Sequence, residues 1–192
     1  MNKSYTCAAV LLVALTSATV ADARLRTVVD PQAPRTLASN VDNPVKVSWT
    51  DPAQFSDIRY SRNRSEAERG TWVSDLARYF QKSAAHRLPA GQQMQITITD
   101  IKRAGDYEPW HGPQMEDVRI VKDIYPPQLS FSWVRTDTDG RVIDQGQKKL
   151  VDTAFLMNST TFNDSDPLRY EKRMIDDWVR SELPKNRLTA QR

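Results

Sequence analysis

The sequence predicts an α+β fold. Two helices lie on one face of a four- or five-stranded sheet, mixed and mostly antiparallel, as a two-layer sandwich. The element order is β-α-β-β-β-β-α. Three observations carry this. Apolar and polar residues alternate at Val45/Val47/Trp49, Met94/Ile96/Ile98 and Leu129/Phe131/Trp133, the period of a half-buried strand. Two longer stretches place apolar residues at helical spacing, each with a single stripe to bury. Asp139-Gly140 lies between two extended stretches and signals a hairpin, so the later strands run antiparallel.

The chain opens with an expected secretory signal peptide, residues 1–23. Lys3 supplies the positive start, Ala8 to Leu15 an unbroken apolar run, and Ala21 and Ala23 the small residues of a cleavage site. The run is too short for a spanning helix, which needs roughly 20 apolar residues. Cys7 precedes the run and is badly placed for lipidation. It is the only cysteine, so the mature chain has no disulfide, thiol nucleophile or cysteine zinc site. The expected address is the periplasm, with no transmembrane anchor in the mature chain.

Residues 24–43 read as a proline-interrupted linker, residues 44–184 as one α+β domain, and residues 185–192 as a disordered tail. Val45 to Trp49 form the first strand, ended by Asp51-Pro52. Ser65 to Glu68 match a capping box, leading into a long amphipathic helix through Trp72, Leu76, Phe80 and Ala84 that stops at Leu88-Pro89. A strand over Met94 to Ile98 follows, and the connection is expected to be a right-handed crossover if the two strands are parallel. Gly105 to Pro113 is a loop. Val118 to Tyr125 read as a further strand, Leu129 to Trp133 as the next, and Arg141 to Leu150 as the last, with Gly146 at a bulge. Asp166-Pro167 start the second helix, which carries Met174, Ile175, Trp178 and Val179 on one face and stops at Pro184.

The phrases at Val47 to Arg59, Leu88 to Pro109, Asp123 to Trp133 and Asp166 to Val179 together resemble the proteobacterial family called domain of unknown function 3016. The resemblance spans about Val45 to Pro184. It implies a small exported or envelope-located protein of a Gram-negative bacterium and no activity. At Lys102-Arg103 the chain departs from the acidic or apolar residues usual in the family, which weakens any acidic site there.

The net charge is +3 with both signs interspersed and no block of basic residues, which argues against a nucleic-acid surface. No phosphate-binding glycine loop, nucleophile elbow or H-E-x-x-H motif is present, and no cofactor or metal is expected. His86, late in the first helix, suits the helix dipole. The candidate interaction surface is Asp100, Trp110, His111 and Tyr125. Asp100 continues the Met94/Ile96/Ile98 face as an acid where the core ends. It either caps a turn or pairs with an arginine, or it joins Asp106, Glu108, Glu116 or Asp117 around a cation; the first is favoured. Trp110 either folds back onto the core, the favoured expectation, or is presented with His111 to a ligand. Asp57 and Arg59, just before the first helix, and Glu171, Lys172 and Arg173, at the start of the second, are candidates for structural ion pairing between the two segments.

Three functions follow. The first is a non-enzymatic binding or accessory module contacting an unknown envelope protein or cell-wall component. The second is a small hydrolase or metal-dependent enzyme built on Asp100, Glu108 and His111. The third is a structural envelope protein that self-associates through a sheet edge.

Overall fold

The computed structural model describes residues 26–40, 43–157 and 165–183. Ala21, Ala23 and the tail at 185–192 lie outside the described residues. The strands are β1 (Thr36–Leu37), β2 (Val45–Trp49), β3 (Gln93–Lys102), β4 (Asp106–Tyr107), β5 (Arg119–Ile120), β6 (Gln128–Thr136) and β7 (Val142–Val151). The helices are α1 (Ser56–Arg59), α2 (Arg64–Glu68), α3 (Trp72–Arg87) and α4 (Arg169–Glu182). Five strands form one mixed sheet in the order β1-β2-β3-β6-β7. Among the described residues only β2 and β3 pair in parallel, with Val47 opposite Ile96, as the crossover through α3 requires. The remaining pairs in this sheet are antiparallel.

The register puts Val45, Val47, Trp49, Met94, Ile96, Ile98, Leu129 and Phe131 on one face, where all are buried. Val73, Leu76, Ala77 and Phe80 of α3 and Met174, Ile175, Trp178 and Val179 of α4 complete that core, so both helices cover the same face. Trp178 meets Phe80, Phe131 and Trp133 edge-on, with ring centroids 5.5, 4.7 and 5.3 Å away. Tyr79 and Ser83 of α3 both donate to Asp176 of α4, at 2.6 and 2.7 Å, and tie the helices together outside the core. The opposite sheet face is polar: Ser48, Thr97, Ser132 and Gln147 lie in one row across four strands.

Several local expectations are corrected. Thr36–Leu37, within the stretch expected as a linker, is an edge strand on β2. The long helix does not start at Ser65. Asn63 caps the short α2 by accepting from Glu66 N at 3.3 Å, and the chain breaks before α3 at Gly70, whose φ of 92° suits glycine. Of Val118 to Tyr125, only Arg119–Ile120 is strand, and it pairs with β4 in a separate ribbon. The bulge between β6 and β7 falls at Arg135/Thr136, not at Gly146. A Cβ at Gly146 would stand 2.5 Å from the Trp133 ring, so glycine there makes room for the tryptophan. Asp166 accepts from Leu168 N at 2.9 Å and closes a turn; α4 itself starts at Arg169.

Candidate functional site

The loop between β3 and β6 carries two polar hubs. The inner hub is built on Asp57 of α1, which is buried. One of its oxygens accepts from Arg103 N at 2.9 Å and Arg119 Nη1 at 3.1 Å. The other accepts from Arg103 Nε at 2.8 Å and Arg119 Nη2 at 2.9 Å. Burial pushes this carboxyl up, but the two guanidinium charges outweigh it and hold Asp57 below the ordinary range. Arg103 lies over the Trp72 ring and Arg119 over the Tyr107 ring, so both cations are sealed under aromatic faces. Glu171 of α4 approaches the same segment and accepts from Ala104 N at 2.6 Å. It is fully buried, and its Oε2 has no hydrogen-bond partner among the described residues. Burial pushes its pKa up to about 7 against the pull of the Ala104 amide, with the Asp57 charge adding to the rise.

The outer hub is Glu108, whose side chain is almost wholly enclosed. It accepts from Lys122 Nζ at 2.6 Å and Tyr125 Oη at 2.8 Å, and its Oε2 lies 2.8 Å from His111 Nε2. The Lys122 bond foremost, then those from Tyr125 and His111, overcome desolvation and hold Glu108 at about 2. Arg62 stands over the rings of both Trp110 and Tyr125, 5.1 and 5.7 Å from their centroids, and also reaches Asp106 at 3.1 Å. Trp110 itself is 60 % exposed, which corrects the expectation that it caps the core. Glu108 therefore immobilises a loop whose tip displays an aromatic ring.

The sequence candidates divide between these places. Trp110, His111 and Tyr125 come together around Glu108. Asp100 does not join them: its oxygens accept from Ser56 N at 2.6 Å and Ser56 Oγ at 2.7 Å, fixing the start of α1. Nor does it continue the core face, because the register shifts between Ile98 and Asp100 and the next buried position falls to Ile101. Asp106 pairs with Arg62 and Lys102, and Asp117 accepts from Asn63. Among the described residues no three His, Cys, Asp or Glu side chains gather as metal ligands. No described helix is long and apolar enough to cross a membrane. Sequence reasoning missed Arg62, Arg119 and Lys122, whose partners lie far away in the chain. Instead of the expected pairing between the Asp57/Arg59 segment and the start of α4, Asp57 pairs with Arg103 and Arg119, Lys172 with Asp166 and Arg173 with Asp152, and Lys102-Arg103 are counter-ions of Asp106 and Asp57.

No curated protein matches the chain significantly. A family model described as "protein of unknown function (DUF3016)" matches residues 43–181, from just before β2 to the last turn of α4. That match takes in every strand of the sheet except β1 and both polar hubs, and the chain belongs to this family.

Proposed function

We propose that the protein is an exported, non-enzymatic binding module of the bacterial cell envelope. It holds an envelope protein or cell-wall component against the surface formed by Trp110, His111, Tyr125 and Arg62. The observation that supports this reading is the combination at Glu108. An enclosed carboxylate with three donors rigidifies the loop, while the adjacent Trp110 stays out in solvent. A rigid, exposed aromatic beside an arginine is the kind of anchor that binding surfaces favour, because little ordering entropy is lost on contact. Tyr60, Val118, Val121 and Ile124 on the neighbouring segments are exposed as well.

The hydrolase reading keeps only part of its set. Glu108 and His111 touch, but Asp100 is committed to Ser56, and a carboxylate held at about 2 is a weak base at neutral pH.

A photo-crosslinking residue at position 110, in protein recovered after export, tests the proposal. The expected result is a discrete adduct with one envelope protein, or retention on isolated cell-wall sacculi. Trp110→Ala should abolish either signal while changing unfolding free energy by less than about 0.5 kcal/mol, as for an exposed side chain. Absence of both signals, or Trp110→Ala binding like the parent, overturns the reading. Recovery of the chain in the periplasmic fraction with Arg24 at its amino terminus tests the export step.

A further inference from the structure

The two edges of the main sheet are unequal. β1 is two residues long, whereas β7 is ten, and among the described residues β7 has no strand on its outer side. The helices cover β2, β3 and β6 and leave β7 exposed except at Gly146 and Leu150, with Val142, Ile143 and Val151 each 45 % exposed or more. A long open edge of this kind invites pairing unless something specifies the partner.

Asp152 N donates to Pro127 O at the end of the β6–β7 pair. In the regular stretch from Asp144 to Val151 the even-numbered residues therefore turn their amides toward β6, and the odd-numbered residues turn theirs outward. An antiparallel second copy of β7 keeps side chains on their own faces only when the paired residue numbers share parity. Of those registers, the one centred on Gly146 places Asp144 opposite Lys148 twice, once on each side of a two-fold axis, and Gln145 opposite Gln147. Centred on Gln147, Asp144 meets Leu150. Centred on Lys148, lysine meets lysine. The Gly146 register also brings an apolar surface to the axis. Trp133 reaches across Gly146 on the helix-side face, so the two copies' Trp133 rings flank the join.

We infer that β7 is a homodimer interface: a second copy of this chain pairs antiparallel with it about Gly146, extending one sheet into the other. Asp144 already lies 3.5 Å from Arg135 of β6, and a second copy adds Lys148 on its other side while giving Lys148 a carboxylate, a match an unrelated strand would not supply, which favours the second copy. Because β1 offers two residues, the opposite edges cannot propagate the sheet, and the assembly closes as a two-fold dimer.

Sedimentation velocity over a wide concentration range, on protein recovered after export, tests this. The parent should sediment as a dimer. Asp144→Lys and Lys148→Asp, each setting like charges opposite one another twice, should each weaken association by about tenfold or more. Asp144→Lys combined with Lys148→Asp should restore it. Circular dichroism of all variants confirms that they fold. A parent monomeric at all concentrations overturns the proposal. So does a dimer indifferent to the single charge reversals, or a double variant that stays monomeric.

Discussion

Asp57 and Glu171 are buried carboxyls within one polar hub, yet they solve burial oppositely. Asp57 has every lone pair engaged by Arg103 and Arg119, so its charge is compensated and its pKa falls. Glu171 has one amide donor and an orphaned oxygen, so it favours the neutral form and its pKa rises to about 7. The consequence for stability has a definite sign. Between the ordinary glutamate value of 4.5 and about 7, the folded protein binds more protons than the unfolded chain. Stability therefore falls as pH rises through that window, by an amount on the order of 2–3 kcal/mol. Glu171→Gln should remove this slope. Urea unfolding at pH 5 and pH 8 reads it: the parent loses stability at the higher pH, and the variant does so far less. A parent whose midpoint rises between these values would contradict the assignment.

At the scale of elements, β6 and β7 depend on a single missing side chain. Gly146→Ala sets a methyl against Cη2 and Cζ2 of Trp133, at 2.5 and 2.8 Å, and Trp133 is itself wedged against Phe131 and Trp178. The expected cost is about 1–3 kcal/mol of overpacking, read by thermal unfolding with a changed near-ultraviolet signal. No loss would mean that the ring moves freely. The alternation that predicts β2, β3 and β6 was legible because each has one face on the core and one in water. β7 alternated poorly because only Gly146 and Leu150 on its helix-side face are partly covered, and only its hairpin revealed it. The stretch from Val118 to Tyr125 misled for the opposite reason. Its apolar residues Val118, Val121 and Ile124 are exposed and join no strand, and only Arg119 and Ile120 pair, with β4 and not with the main sheet. The Glu108 hub was half legible. Glu108 and His111 are three residues apart, but Lys122 and Tyr125 reach the carboxylate only through the turn back along β5.

Across the whole molecule, the sheet joins local and distant strands. β6 and β7 follow one another through a hairpin and β3 reaches β6 across β4 and β5, whereas β2 reaches β3 only across the longer stretch of α1, α2 and α3. Closing that crossover costs chain entropy before any parallel pairing repays it. The antiparallel meander should therefore lead folding, and β2 should dock late. Val47→Ala in β2 is expected to accelerate unfolding with little change in refolding rate, whereas Phe131→Ala in β6 should slow refolding. Stopped-flow chevrons measure both. A Val47→Ala variant whose whole destabilisation appears in the refolding limb would reverse the order.

The placement of Trp178 has a further consequence for newly made chains. The ring that covers Phe80, Phe131 and Trp133 comes from α4, the last described element, so the aromatic core is closed only after every other described element has been synthesised. A chain ending before Arg169 keeps its sheet residues but displays those rings to solvent. Exposed apolar surface of this kind is what chaperones and proteases survey, so α4 doubles as a marker that this domain is complete, separating it from chains cut short within it.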